Sequence, residues 1–590
     1  MIIKNYSMHI FHIILSVLFC KIANNTFELR FGLTNNCLRY KIKRQVEFLL
    51  IEIFELLKQM VAARRAQRHS LRGGGRGRCT MNERPNILFI LTDDQGAWAM
   101  GCSGNSELKT PNLDRIAVSG VRMENFFCVS PVCSPARASI YTGEIPSRHG
   151  VHDWLAKGHV SEFQLDDELR EMINRDDPPY EYLWPKTQLR GDTAIQYLSG
   201  HKTFTEVLAG SGYDCGLSGK WHLGDSATPQ AGFRFWRTEA MGGDNYYYPV
   251  ALENGKMTMK RGVYVTDYIT DNALDFLRRD RDRERPFFLA VHYTAPHSPW
   301  SAPCHPEKYI NMYENCPFDS IPALPPHPWC PEAGQTRAQW DSKPHPGVRF
   351  IHARYAPIEE EWQQYRRESL RGYFAAVTAM DAAVGRLLDE LEAQGLSENT
   401  LVVFTSDNGS NMGHHGIFGK GNGTYPQNMY DTSVKIPGLF SFPGRIPGGR
   451  VCSQMASHYD LYDTILDLAG VPHKADPDRP GRSFADVLTG REERFRDEVV
   501  VYDEYGPVRM IRTKEWKYVR RFPDGPDELY DLVNDPEEYV NRIDEPAQRE
   551  RIREMDSRLA EWFRRYADPA LDGSREQVRG KGQLDSHHFL

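Results

Sequence analysis

The stretch CVSPVCSPARASIYTG, residues 128–143, sets Cys133, Pro135 and Arg137 within five positions. Proline is accepted at the first helical position, where the N–H it lacks would be unpaired anyway, so Pro135 read as that residue places Cys133 and Ser134 at the helix mouth. Free N–H groups and the positive end of the helix dipole then face whatever Cys133 carries. Arg137, four residues on, shares that helix face and can turn its guanidinium to the same spot. The result is an anion-binding arrangement with a nucleophile inside it. Two other stretches carry acids: TDDQG with Asp93 and Asp94, and SDNG with Asp407 and Asn408. Three carboxylates and an amide oxygen form a hard donor set that suits Ca2+ or Mg2+ better than zinc. A helix mouth and an arginine lower a thiol pKa, but a soft thiolate is a poor match for a hard cation. Position 133 is therefore expected to present oxygen.

These residues need elements to position them. RPNILFILTDDQG is an apolar run of strand length that stops abruptly at acids, the pattern of a strand buried on both faces of a parallel sheet. TPNLDRIAVSG follows as a helix, with Thr110 as N-cap, Pro111 in first position and Gly120 as its stop. The same grammar recurs in YDCGLSGKWHLG (213–224), RPFFLAVHYTAPHSPW (285–300) and NTLVVFTSDNGSNMGHHG (399–416). Between the last two, LRGYFAAVTAMDAAVGRLLDELEAQG has helical period and ends at Gly395. An open α/β sheet holds ligands beyond the carboxyl ends of its strands, so the four polar clusters are expected to converge. Residues 300–365, rich in Pro, His and Trp, read as a long surface excursion at the entrance. The predicted fold is α/β: a large, mostly parallel central sheet flanked by helices, with a smaller C-terminal α+β domain made of an antiparallel sheet plus a helix.

The segment at Cys133 resembles the cysteine-type signature of the sulfatase family, within the alkaline phosphatase-like superfamily. The pattern C-x-P-x-R followed by x(4)-T-G is met by Cys133, Pro135, Arg137, Thr142 and Gly143. TDDQG, GKWHLG, APHSPW, SDNG and GKGNGTYPQNMYDTSVKIP follow the family's landmarks in order, across roughly residues 84–540. The resemblance implies sulfuric ester hydrolysis by a Cα-formylglycine (3-oxoalanine) made from Cys133, whose hydrate supplies an oxygen nucleophile and a metal ligand. It implies a calcium site, with Mg2+ as the alternative, built from Asp93, Asp94, Asp407, Asn408 and the converted Cys133. Arg137 would hold the formylglycine hydroxyl, and Lys220 and His222 would bind sulfate and position or deprotonate the hydrate. His297 and Lys420 would grip the ester and protonate the leaving alcohol; His292 competes with His297, which fits APHSP better. The conversion implies a formylglycine-generating enzyme or a radical SAM maturase as partner.

Three activities stay open on these residues: sulfate ester hydrolysis, phosphonate monoester or phosphodiester hydrolysis on the same fold, and binding by an unconverted, inactive homologue. Trp and Tyr suited to stacking on sugar faces point to a sulfated glycan, with small aryl or choline sulfates as alternatives. HGVHDW (149–154) and GGDNYYY (242–248) are candidate pocket walls, and His414 and His415 have no assigned role.

Length and composition agree with an enzyme of this kind. The 590 residues, 40% hydrophobic and 26% charged, exceed one simple core. The predicted division is an N-terminal extension (1–80), a catalytic domain (81–494), a C-terminal subdomain (495–575) and a tail (576–590). The net charge of −7 splits into about +10 for residues 1–80 and about −17 for the rest. No nucleic-acid motif accompanies the basic part. HIFHIILSVLFC (9–20) is too short to span a bilayer, so no stable membrane anchor is expected, but it suits a signal-peptide core. Export follows if it acts as one, and a cytoplasmic location follows if Met81 is the true start. Eleven cysteines without a CxxC pair give no sign of a zinc ribbon or a disulfide framework.

Overall fold

A computed structural model describes residues 84–189, 193–243, 245–330, 359–503, 507–575 and 583. The N-terminal extension and nearly all of the tail lie outside the described residues. Ten strands form the main sheet: β1 (Asn86–Thr92), β2 (Val121–Phe127), β3 (Asp214–Lys220), β4 (Phe235–Glu239), β5 (Val250–Glu253), β6 (Lys256–Met259), β7 (Phe287–His292), β8 (Thr400–Ser406), β9 (Gly438–Ser441) and β10 (Arg450–Ser457). Their spatial order is β10-β2-β9-β8-β1-β7-β3-β4-β5-β6. The run β8-β1-β7-β3-β4 is parallel throughout. Strand β9 is antiparallel to both of its neighbours, and the β4-β5-β6 edge is antiparallel too.

Every residue of β1, β3, β7 and β8 is buried, as the continuous apolar runs require. Ile87, Phe89 and Leu91 face one core layer, where they meet α2 (Cys133–Thr142), α3 (Phe204–Gly210) and α6 (Leu461–Leu468). Leu88 and Ile90 face the other, with α1 (Pro111–Ser119), α4 (Val265–Asp275) and the long α5 (Glu359–Ala393). A second sheet, β11 (Glu498–Asp503), β12 (Val508–Thr513), β13 (Trp516–Arg521) and β14 (Glu528–Asp531), is antiparallel in sequence order and packs on α7 (Arg549–Tyr566). No helix among the described residues is long and apolar enough to cross a membrane.

Thr110 stands at the N-cap of α1, but its hydroxyl accepts the Gly101 N–H at 2.8 Å instead of capping the helix. The open N–H groups of Asn112 and Leu113 donate to Asp381 of α5 at 3.0 and 2.8 Å. A tertiary carboxylate thus replaces the local cap.

Helix α5 also braces the loops after β1 and β7. Tyr373 donates to the Asp94 carbonyl at 2.9 Å, and a Cβ added at Gly372 would lie 1.6 Å from the Trp300 carbonyl oxygen. Alanine is the better helix former, yet Gly372→Ala is expected to destabilise by about 1–3 kcal/mol because this contact cannot yield. Gly210→Ala, whose Cβ would meet nothing within 4 Å, is expected to be neutral or up to about 1 kcal/mol stabilising. Thermal unfolding of the two variants beside the parent checks this ordering.

Candidate active site

The four polar clusters lie side by side, because β8, β1, β7 and β3 are consecutive in the sheet and end on the same side. Asp407 and Asn408 follow β8, Asp93 and Asp94 follow β1, His297 lies five residues past the end of β7, and β3 ends on Lys220 with His222 two residues on. Helix α2 begins at Cys133, and its N-cap Val132 offers no capping side chain. The helix opens two residues before the start expected at Pro135, so Cys133 is its first residue and Pro135 its third, and Cys133 still occupies the helix mouth.

The carboxylates are buried and closely tied. Asn408 donates to Asp94 Oδ1 at 2.7 Å, and the Asp94 N–H donates to Asp407 Oδ1 at 3.3 Å. Arg137 donates Nε–H to Asp407 Oδ2 at 2.9 Å and Nη1–H to the Lys220 carbonyl at 2.8 Å. Lys220 pairs with Asp93, and Lys420 donates to Asp94 Oδ1 at 2.6 Å while standing 3.7 Å from Cys133 Sγ. His297 Nε2 is 3.7 Å from Asp94 Oδ2. Asp93, Asp94 and His297 present ligand atoms within 4.8 Å of one another. Asp93 Oδ1 and Asn408 Oδ1 are buried with no hydrogen-bond partner among the described residues.

A cavity of about 310 Å3 opens onto this cluster. Asp94, Cys133, His222, His297 and Lys420 reach it, whereas Lys220 is buried behind Asp93. Trp154, Trp184 and Trp300 form walls, with Gln188 and Asn422 as polar groups. His292 stays outside. It is fully buried, with Nε2 2.9 Å from the Tyr141 hydroxyl and Nδ1 2.9 Å from the Lys220 carbonyl, so both ring nitrogens are taken. His415 stacks on Tyr430 at 3.6 Å and His414 lies against Trp98, also away from the cavity.

The surroundings set the charges. Burial alone would push Asp93 and Asp94 up, but Lys220 beside Asp93, Lys420 beside Asp94 and His297 near both hold the two carboxyls below their ordinary value. Burial is the largest influence on Cys133 and raises its thiol despite Lys220 and Lys420. Burial, then Lys220, His159 and Arg137, hold His222 well below the usual imidazole range, so it is neutral at pH 7. Burial works against the Lys420 ammonium, but Asp94 foremost, with Asp93 and Asp407 beyond it, outweighs that and keeps the group charged. Asp94 (φ 60°) and His222 (φ 56°) lie in the left-handed region, a strain of about 1–3 kcal/mol each that packing must sustain.

The family model described as Sulfatase matches residues 85–471, and one described as N-sulphoglucosamine sulphohydrolase, C-terminal, matches residues 413–565. The chain belongs to the sulfatase family. It is 29% identical to an N-acetylglucosamine-6-O-sulfatase of Bacteroides thetaiotaomicron over 562 residues, covering 85% of this chain and 90% of that protein. A choline-sulfatase of Rhizobium meliloti is 26% identical, over 83% of this chain and 90% of the relative. A solved structure described as a complex with its substrate D-glucosamine-2-N,6-O-disulfate superposes with a TM-score of 0.63 at 26% identity, over 84% of this chain and all of the other. The large helix-flanked sheet and smaller antiparallel sheet of this sulfatase match that structure, and its activity is sulfate ester hydrolysis.

Trp154 of HGVHDW and Gly242 and Gly243 of GGDNYYY line the cavity, as expected of those stretches, whereas two other wall residues had no signal of their own in the sequence. Trp184 and Gln188 come from a short helix (Leu183–Leu189) and reach the cavity only through tertiary packing. Gly242 and Gly243, in the aromatic GGDNYYY stretch, leave room for the catalytic candidates. A Cβ at Gly242 would lie 2.0 Å from His222 Nε2, and one at Gly243 would lie 3.2 Å from His297 Cε1.

A raised thiol pKa means less thiolate at a given pH. In metal-free sulfatase carrying unmodified Cys133, at about pH 8, iodoacetamide is expected to label this cysteine at least about tenfold more slowly than free cysteine. Peptide mass spectrometry over residues 123–137 reads the rate, and labelling as fast as free cysteine contradicts the burial argument.

Proposed function

We propose that this sulfatase hydrolyses the sulfate ester of a sulfated carbohydrate, using a formylglycine made from Cys133 and a calcium ion in the acidic pocket. The observation that carries this is the meeting of Cys133, at a helix mouth, with Asp94, His222, His297 and Lys420 around one cavity. The residues fit a hard divalent cation, since Asp93 Oδ1 and Asn408 Oδ1 are buried oxygens left without hydrogen bonds among the described residues. Asp93, Asp94, Asp407, Asn408 and the oxygen at position 133 would hold it. When bound, it supplies Lewis acidity towards the sulfate oxygens.

The side chains account for the remaining steps. Arg137, fixed between Asp407 and the Lys220 carbonyl, holds the hydroxyl at position 133. One hydroxyl of the hydrated aldehyde gives up its proton to cavity water, and its oxygen attacks sulfur as the bond from sulfur to the leaving oxygen breaks. Lys420, kept charged, meets the oxygen on which negative charge develops, and His297 delivers its proton from Nε2. His222, with Nε2–H directed to the Leu155 carbonyl at 3.3 Å, takes the proton of the remaining hydroxyl at Nδ1. Collapse to the aldehyde then releases sulfate. A host formylglycine-generating enzyme or radical SAM maturase would perform the conversion of Cys133.

A sugar is favoured by the tryptophan walls and by relatives that act on glucosamine sulfates. N-acetylglucosamine 6-sulfate is expected to be turned over with a kcat/KM at least about tenfold above that of choline sulfate. A ratio below one overturns the carbohydrate assignment. Comparing 4-nitrophenyl sulfate with 4-nitrophenyl phosphate separates sulfatase from phosphoesterase chemistry.

For the nucleophile, the peptide Met123–Arg137 from active enzyme is expected to carry an aldehyde in place of the thiol. Cys133→Ser, with a single hydroxyl, is expected to retain a sulfo group after one turnover and stop. A fully active protein with an ordinary thiol at position 133 refutes this chemistry.

A further inference from the structure

The second sheet does more than extend the fold. Segment 420–431 carries Lys420 into the cavity and folds back on itself around Asn428, which is fully buried. Asn428 donates its side-chain amide to the carbonyls of Lys420 and Gly421, each at 3.1 Å, and its backbone N–H to Gly421 at 3.0 Å. The residues flanking Asn428 are gripped from outside the main sheet. Arg521 of β13 donates Nε–H and Nη2–H to the Gln427 carbonyl at 3.2 and 2.8 Å. Lys517, also of β13 and fully buried, donates to the Met429 carbonyl at 2.8 Å and pairs with Asp431 at 2.7 Å and with Glu538. Arg512, the cross-strand partner of Lys517 on β12, holds the same Asp431 carboxylate through Nε and Nη2 at 3.1 and 2.9 Å.

Four residues apart on one strand, Lys517 and Arg521 project to the same face. They bracket Asn428 by binding the carbonyl just before it and the carbonyl just after it. Buried charge-assisted hydrogen bonds of this kind are strong and directional. Arg521 also pairs with Glu528 of β14 at 3.0 Å and donates to the Pro526 carbonyl at 2.7 Å, so one guanidinium ties the second sheet to itself and to the loop.

We propose that Lys517 and Arg521 are positioning residues for catalysis: through Asn428 they set the place of the Lys420 ammonium at the leaving-group oxygen. This inference rests on the role given to Lys420 above. Its consequence is selective. A displaced Lys420 harms esters with poor leaving groups, such as sugar alcohols, more than activated aryl esters, whose leaving oxygen needs little help. A mere loss of folded protein lowers both rates alike and cancels in their ratio.

The test measures kcat/KM for N-acetylglucosamine 6-sulfate and for 4-nitrophenyl sulfate in the mature enzyme and in Lys517→Met, Arg521→Gln, Lys420→Ala and the Lys517→Met/Lys420→Ala pair. The charge-balanced Lys517→Met/Glu538→Gln variant covers the case in which Lys517→Met fails to fold. Lys517→Met, or its charge-balanced form, and Arg521→Gln are expected to lower the sugar-to-aryl ratio about 10- to 100-fold, and Lys517→Arg to restore most of it. Adding Lys517→Met to Lys420→Ala is expected to leave the ratio where Lys420→Ala puts it. If Lys420→Ala shifts the ratio and neither sheet variant does, the positioning inference is wrong. If Lys420→Ala leaves the ratio unchanged, the role given to Lys420 fails first and the inference falls with it.

Discussion

The structure depends on keeping three buried carboxylates together. Asp93, Asp94 and Asp407 are almost wholly withdrawn from water at the ends of two neighbouring strands. Two like charges 4 Å apart cost about 4 kcal/mol at an effective dielectric constant of 20, so such a patch persists only with compensating charge. The compensation comes from three places: Arg137 from a helix, Lys220 from β3 and Lys420 from the loop after β8. Each cation is borne by a different element, and each element must be placed by the sheet. Strand order and charge balance are therefore one constraint seen from two sides.

Of these three cations, Lys420 is the one that lines the cavity, where a sulfate ester would meet it. Lys420 touches both Asp94 and Cys133, and its segment is anchored to a sheet whose strands lie roughly a hundred residues further along the chain. Strain follows the same geography. Asp94 and His222, both in left-handed backbone, flank the cavity, and two tightly packed glycines, Gly242 and Gly372, face a catalytic candidate or the loop that carries one.

Much of this was readable from local pattern. Apolar runs ending in acids or in GKWH marked the strand ends, and the prohibition on proline inside helices marked the mouth at Cys133. Spacing alone could not separate His292 from His297, because the choice depends on where β7 stops and on the Tyr141 hydroxyl that occupies His292. Other features left no local trace. Asp381 caps a helix some 270 residues away, Trp184 reaches the cavity from a short helix, and β9 inserts antiparallel between β2 and β8. Each arises from contacts between distant segments, and neither side-chain period nor turn chemistry encodes such contacts. Lys517 and Arg521 had the sequence pattern of ordinary strand residues; only the facing carbonyls give them meaning.

The central position of β1 bears on how the protein comes into being. Its partners β7 and β8 lie far downstream, and Asp94 and Asn408, bonded in the native protein, are 314 residues apart in sequence. Closing loops of that length is slow, and until it happens this apolar strand has two open edges. A ribosome must therefore extrude the chain through β8, about 300 residues beyond β1, before that strand finds both neighbours, an interval in which chaperone protection has the most to guard.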